Sequence, residues 1–275
     1  MKAADLHIHT YFSDSSASPE EVVEGAVQAK LDCIAITDHD TIEGIPRTRQ
    51  AAQKSGIEVL AGIELSTELN GRDIHMLGYL FDETGGEFIE RVKQILQTRS
   101  QRMKEMIKRL KTLGIDNIEY QEVSAAATSQ SIGRPHLAKV MLQKGVVASM
   151  QEAFDKYLAD DAPGYVPKFK QTPEEAIAMI KKAGGVSILA HPMVTQMDEI
   201  IPRLVAEGLD GLEVFYPNTS PPVIRFYEGL AEKHNLLMTG GSDAHGEVKK
   251  STYIGKVSIP YTLVEKLKER AKRKS

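Results

Sequence analysis

The chain has 275 residues, with 34 Lys and Arg against 38 Asp and Glu, a formal net charge of −4, and 41% hydrophobic residues. That balance excludes a strongly basic nucleic-acid coat protein and a highly charged disordered tail, and it leaves ample apolar material for a buried core. No run of ~18 apolar residues spans a bilayer, the opening residues lack the apolar stretch of a secretory signal, and the single cysteine, Cys33, is expected as a core thiol in a cytoplasmic protein.

In chain order, short runs rich in Val, Ile and Leu predict strands over 4–8, 33–37, 59–64, 186–191, 209–215, 236–240 and 254–259. Segments of helical period lie between them, the pattern of βα units around a mostly parallel sheet. Ser18-Pro19-Glu20-Glu21 and Thr172-Pro173-Glu174-Glu175 each start a helix, with a capping hydroxyl, proline at the first helical position and Glu closing the capping box. Asn70-Gly71 separates 63–69 from 72–81 and predicts a two-residue hairpin, in which 69 faces 72, 66 faces 75 and 64 faces 77.

The middle of the chain departs from this alternation. Over 87–113, Val92, Leu96, Met103, Met106, Leu110 and Leu113 recur at helical spacing until Gly114 stops the run. Further helices are predicted over 135–144, ending at Gly145, and from the capping box Ser149-Met150-Gln151-Glu152. Residues 86–170 therefore read as an all-helical insertion, a lid or wall, in an α/β domain formed by 1–85 and 171–275. The Lys- and Arg-rich stretch 266–274 reads as a solvated helix end, where cations suit the dipole.

Histidines and carboxylates are concentrated at one end of the predicted strands. His7 and His9 are two apart and so share a face. Asp14 follows in a Ser-rich loop, and His39 ends the second strand. Glu64 and His75 are diagonal neighbours across the hairpin. His191, Asp243 and His245 again lie at or just past strand ends, where α/β folds build their sites. His234 has no such position and reads as structural. Six histidines and three carboxylates are too many for one ion, so two or three divalent cations are implied, Mn, Fe or Zn given nitrogen and oxygen donors without thiolate. Adjacent ions ~3.5–4 Å apart activate a bridging water and clamp the attacking and leaving oxygens of an in-line displacement, which suits phosphate-ester hydrolysis.

Together Asp5-Leu6-His7-Ile8-His9, Ser13-Asp14, Ile36-Thr37-Asp38-His39-Asp40, Gly62-Ile63-Glu64, His75, Ala190-His191-Pro192 and Gly241-Ser242-Asp243-Ala244-His245 resemble the PHP (polymerase and histidinol phosphatase) family, over about 1–82 and 170–260. The resemblance implies a distorted (βα)7 TIM-like barrel with a trinuclear metal site. Carried over, His7, His9, Glu64 and Asp243 hold the first ion, and Asp14, His39 and His245 the second. Glu64 as a bridge, His75 and His191 hold the third. Asp14 and the helical insertion resemble the branch of nucleoside 3′,5′-bisphosphate phosphatases and 5′-to-3′ oligoribonucleases, whereas histidinol phosphatases usually carry histidine near position 14. Ser15 stands where this branch commonly has glycine, which bears on loop shape rather than on the ligand set. Inactive PHP domains of bacterial polymerases lose ligands that this sequence keeps.

Gly133-Arg134-Pro135-His136 opens a helix whose free N–H groups and dipole, with Arg134 and His136, make a phosphate cradle; a similar segment contacts substrate phosphate in that branch. Lys168 is a second candidate phosphate contact. Between 91 and 111, eight Lys and Arg meet only Glu105, a positive face that attracts polyanions but lacks aromatic residues for base stacking. The expected reaction is metal-dependent hydrolysis of a nucleotide or short oligonucleotide by a metal-bridged hydroxide, with Glu64, Asp38, Asp40 and His245 as the catalytic set. Asp38 and Asp40 flank His39 and either orient its imidazole or donate a proton. Histidinol phosphate is the rival substrate. Neither a membrane nor a protein partner is expected.

Overall fold

The computed structural model describes residues 2–127, 131–167, 171–249 and 251–273. Eight strands form one sheet: β1 (Ala3–Ile8), β2 (Cys33–Ile36), β3 (Glu58–Leu69), β4 (Arg72–Tyr79), β5 (Val186–Leu189), β6 (Gly211–Phe215), β7 (Leu237–Gly240) and β8 (Ile259–Pro260). Their order is β7-β6-β5-β4-β3-β2-β1-β8. The pairs β1/β2, β2/β3, β5/β6 and β6/β7 are parallel. Beyond β7 the chain returns to β1: Ile8 bridges Ala244 in parallel, the His9 N–H donates to the Ala244 carbonyl at 3.1 Å and the Ser242 N–H donates to Asp5 Oδ1 at 2.9 Å. The sheet thus curls into a nearly closed barrel, the expected TIM-like α/β architecture.

The distortion has a local cause. Asn70 and Gly71 both adopt positive φ, as a two-residue hairpin turn requires, so β3 runs straight into antiparallel β4 with no crossover helix. The register is the expected one, with Leu69 facing Arg72, Ser66 facing His75 and Glu64 facing Leu77. β5 then pairs with β4 antiparallel as well. One strand expectation is corrected: 254–259 is mostly turn, because Gly255 takes φ +78° and donates its N–H to Asp5 Oδ2, leaving Ile259–Pro260 alone to pair with Ala3 and Ala4.

Helices α1 (Pro19–Gln28), α2 (Gly44–Ala52), α7 (Pro173–Lys182), α8 (Pro192–Thr195), α9 (Ile201–Glu207), α10 (Pro221–Lys233) and α11 (Tyr261–Lys272) accompany the barrel. Ser18 and Thr172 close the capping boxes that start α1 and α7. Cys33 is buried and free, and burial pushes its thiol pKa well up.

Between β4 and α7 lie α3 (Gly86–Thr112), α4 (Tyr120–Ala126), α5 (Arg134–Gln143) and α6 (Met150–Ala153), the last running into a wide turn over Phe154–Leu158. Two hydrophobic cores meet along α3. Phe88, Val92, Ile95 and Leu96 pack into the barrel cluster, whereas Met103, Met106, Ile107 and Leu110 join Val123, Leu137, Met141 and Leu158 in a second cluster. Among the described residues no helix is long and apolar enough to cross a membrane.

Candidate metal centre

β1 ends at the barrel mouth with His7 and His9, both completely buried. β3 brings Glu64 beside them, and the loop after β2 is stitched to β3 by the Asp40 N–H to the Glu64 carbonyl (3.0 Å) and the Glu64 N–H to the Asp38 carbonyl (3.2 Å), which sets His39 next to Glu64. Glu64 is the hub. Its Oε2 lies 3.2 Å from His7 Nε2, 3.1 Å from His9 Nε2 and 3.3 Å from His39 Nδ1. Its Oε1 lies 2.8 Å from His75 Nδ1 and 3.1 Å from His191 Nε2. Asp243 Oδ1 stands 3.5 Å from His7 Nε2 and 3.2 Å from His9 Nε2. Asp14 Oδ1 stands 3.2 Å from His245 Nε2, and Asp14 Oδ2 3.9 Å from His39 Nε2. The donors fall into three groups whose ligand atoms lie within 4.8 Å of one another: His7, His9, Glu64 and Asp243; His9, Asp14, His39 and His245; and His39, Glu64 and His75. All nine residues singled out from the sequence thus converge on one mouth.

The electrostatics match a site for cations. Burial opposes charge on Glu64, yet the surrounding imidazoles of His39, His75 and His7 hold its pKa well below the usual carboxylate range. Burial likewise disfavours protonated His9, but Asp243 and Glu64 override it and lift its pKa to about 10. His39, for which burial prevails, is lowered. Both ring nitrogens of His9, His39 Nδ1, His191 Nδ1 and Asp14 Oδ1 are buried without a hydrogen bond. Each such atom costs ~1–3 kcal/mol if left so. Cations bound among these nitrogen and carboxylate donors would satisfy several of them at once, so the residues present fit divalent ions.

Behind the donors stand residues that hold them. Glu213 of β6, fully buried, accepts the His7 Nδ1 proton on Oε1 and the His191 N–H on Oε2, each at 2.8 Å. It occupies His7 Nδ1, which leaves Nε2 as the nitrogen facing the centre, and anchors His191, whose φ of +27° is a strained backbone. Tyr216 Oη and Lys249 Nζ donate to Asp243 Oδ2 at 2.7 and 2.5 Å. Asp38 accepts from Thr10 N (2.7 Å), Thr10 Oγ1 (2.7 Å) and Ser13 Oγ (2.6 Å), fastening the loop that carries Asp14. Asp40 accepts from Ser66 N at 2.8 Å and pairs with Arg99 at 3.2 Å. Both aspartates are therefore engaged in holding the His39 and Asp14 loops.

Beside the centre is a cavity of about 200 Å³ lined by Asp14, His39, His75, Arg99, Arg102 and Arg134 among others. Arg134 bonds the Leu158 carbonyl (3.0 Å) and Asp160 (2.6 Å), and the guanidiniums of Arg134 and Arg102 each lie 5.4 Å from the Tyr165 ring. Burial, reinforced by Arg134, lowers the Arg102 pKa to about 10, and its Nη2 is buried without a hydrogen bond. His136 sits behind the cradle: its Nδ1 accepts the Gly133 N–H at 3.0 Å, and burial lowers its pKa to about 4. Lys168 lies outside the described residues. Glu213, Tyr216 and Lys249 escaped the sequence reading, as did the placement of Arg99 and Arg102 in this cavity. A lone Glu inside the apolar strand Leu212-Glu213-Val214 was the available signal for the first.

The PHP domain family matches this chain over residues 5–184. The 5′-3′ exoribonuclease Rnm of Escherichia coli is 34% identical over 248 residues, 88% of this chain and 84% of that protein. The 3′,5′-nucleoside bisphosphate phosphatase of Chromobacterium violaceum is 31% identical over 250 residues, 89% and 88% of the two chains. Among solved structures, a protein of Bifidobacterium adolescentis assigned as a metal-dependent phosphoesterase superposes with a TM-score of 0.86 at 31% identity, covering 97% of this chain and 96% of that one. With the family match spanning well over half the chain and the mouth of its barrel ringed by nine potential metal ligands, the chain belongs to the PHP domain family.

Proposed function

We propose that this PHP-family protein hydrolyses nucleotide phosphate esters, releasing the 3′-phosphate of nucleoside 3′,5′-bisphosphates and trimming short oligoribonucleotides from the 5′ end. It is a metal-dependent phosphoesterase, like the relatives it resembles. The observation that carries the substrate class is the arginine-lined cavity opening directly beside the Glu64 hub: one phosphate is placed among the donors while a second meets guanidinium groups.

His7, His9, Glu64 and Asp243 would hold one ion, Asp14, His39 and His245 a second, and Glu64, His75 and His191 a third. We assign two to three ions drawn from Mn, Fe and Zn, on the nitrogen and oxygen donor set. Bound there, they supply Lewis acidity and a water nucleophile at neutral pH. The chain's residues supply the rest. Arg134, Arg102 and Arg99 neutralise and orient the phosphate that is not cleaved. Asp38 and Asp40 keep the Asp14 and His39 loops in place, and Glu213 takes up His7 Nδ1, so that Nε2 is the nitrogen turned to the ions. Residues 86–170 form a roof over the barrel domain of 1–85 and 171–275, shielding the reacting phosphate from bulk water. The lone buried Cys33 fits work in a reducing cytoplasm.

The test is phosphate release from adenosine 3′,5′-bisphosphate, AMP and histidinol phosphate by protein purified with Mn, with metal content measured on the same sample. Fastest release from the bisphosphate is expected. Preference for histidinol phosphate overturns the nucleotide assignment, and no release from any of the three despite bound metal overturns these ester classes as substrates.

A further inference from the structure

Asp243 divides its two oxygens between two environments. Oδ1 faces ring nitrogens of His7 (3.5 Å), His9 (3.2 Å) and His245 (3.5 Å). Oδ2 is turned away and taken by the Tyr216 hydroxyl at 2.7 Å and the Lys249 ammonium at 2.5 Å, with 3.3 Å between these two donors. The residue beneath is held hard: its φ is +46°, and its carbonyl accepts from His245 Nδ1 and Thr252 Oγ1, both at 3.0 Å. Among the described residues, Lys249 is the one Lys or Arg paired with any of Asp14, Glu64 and Asp243. A cation is therefore built against a carboxylate that the metal reading needs as an anion.

We propose that Tyr216 and Lys249 set the metal affinity of Asp243 in opposite directions, Tyr216 as a positioning residue that strengthens it and Lys249 as a fixed positive charge that weakens it. This rests on the assignment of Asp243 as a metal ligand. Tyr216 turns Oδ2 away through a neutral hydrogen bond, which presents Oδ1 alone and opposes the ion far less than a full positive charge does. Lys249 makes the same contact but places its charge one carboxylate away from the ion, and half-exposure screens that repulsion only in part. Removing the charge leaves the carboxylate oriented by Tyr216; removing the hydroxyl leaves the opposing charge in place. A resident ion held less tightly than its donors allow keeps more of its Lewis acidity for substrate.

The experiment strips wild type, Lys249→Met, Lys249→Arg and Tyr216→Phe of metal, checks each fold by circular dichroism and melting, and titrates Mn against a chelator of known affinity. In Lys249→Met one ion is expected to bind about tenfold tighter, the order given by a unit charge near a divalent ion at a partly exposed site. Lys249→Arg keeps the wild-type affinity. In Tyr216→Phe, which retains the ring beside His191, one ion binds about tenfold weaker or worse, as for other residues that orient ligands. Weaker binding in Lys249→Met, or wild-type affinity in both Lys249→Met and Tyr216→Phe, overturns the proposal while leaving the metal centre intact. A wild-type protein that takes up no Mn overturns the metal reading itself, and the proposal with it.

Discussion

Replacing Glu213 by Gln probes the support of the site without touching a ligand. Both Glu213 oxygens accept, one from His7 Nδ1 and one from the His191 N–H, each at 2.8 Å, and the side chain has no exposure. Gln has the same shape but offers one acceptor and one donor, so one of the two partners must face a donor. If it is His7, the ring proton moves to Nε2, the nitrogen 3.2 Å from Glu64, and that nitrogen no longer ligates. If it is His191, a buried amide loses its acceptor and the backbone at φ +27° loses its restraint. An unsatisfied buried donor together with a lost charge-assisted hydrogen bond amounts to about 3 kcal/mol, equivalent to roughly 100-fold in binding and at the upper end for residues that orient metal ligands. Metal titration against a chelator and phosphate release should both fall by that order in Glu213→Gln, while circular dichroism stays that of wild type. A folded Glu213→Gln protein within about threefold of wild type in both assays would refute the claim that one carboxylate governs the tautomer of His7 and the placement of His191.

Four further perturbations test other parts of the site. Glu64→Gln should abolish phosphate release from metal-replete protein while leaving it folded, and a near-normal rate would remove Glu64 from the centre of the chemistry. Arg134→Ala should lower kcat/KM for the bisphosphate by about 10- to 100-fold, the worth of a charged hydrogen bond, and much less for AMP; equal losses on both would show that Arg134 does not meet the second phosphate. At Gly44 an added Cβ would stand 2.3 Å from Asp38 Oδ2 and 2.9 Å from Thr10 Oγ1, so Gly44→Ala should cost about 1–3 kcal/mol in melting and slow turnover through the Asp14 loop; unchanged melting and rate would mean that this loop yields freely. His136, with a folded pKa near 4 against ~6.5 unfolded, is neutral in the fold while the unfolded chain takes up a proton. Stability should therefore drop as pH falls from about 6.5 to 4, by an order of 3 kcal/mol. In metal-stripped protein His136→Asn should lack that component, and parallel pH curves for the two proteins would contradict it.

Most of the candidate metal-binding residues were legible because they lie at or just past strand ends, and strand ends follow from short apolar runs and capping residues. The Asn70-Gly71 turn gave the hairpin register, and with it the nearness of Glu64 to His75. What holds the ligands was not legible. Glu213 lies within an apolar strand, and its role depends on β6 being wound to the barrel interior opposite His7, 206 residues away in sequence. Tyr216 and Lys249 meet only because the loop after β7 folds back across Asp243. The apolar run at 254–259 misread as a strand because Gly255 turns toward Asp5, a partner 250 residues distant. Periodicity reports a segment's own face and is blind to such closures.

Helix α3 has a mechanical consequence. At 27 residues it is a rod of ~40 Å, with its first half embedded in the barrel core and its second in the core of the roof. Arg99 stands at the handover, donating to Ser131 at 2.6 Å and to the His39 carbonyl at 3.3 Å. One helix shared by both cores couples the roof to the barrel through packed side chains instead of a loop hinge, so displacing the roof means bending or unpacking this rod.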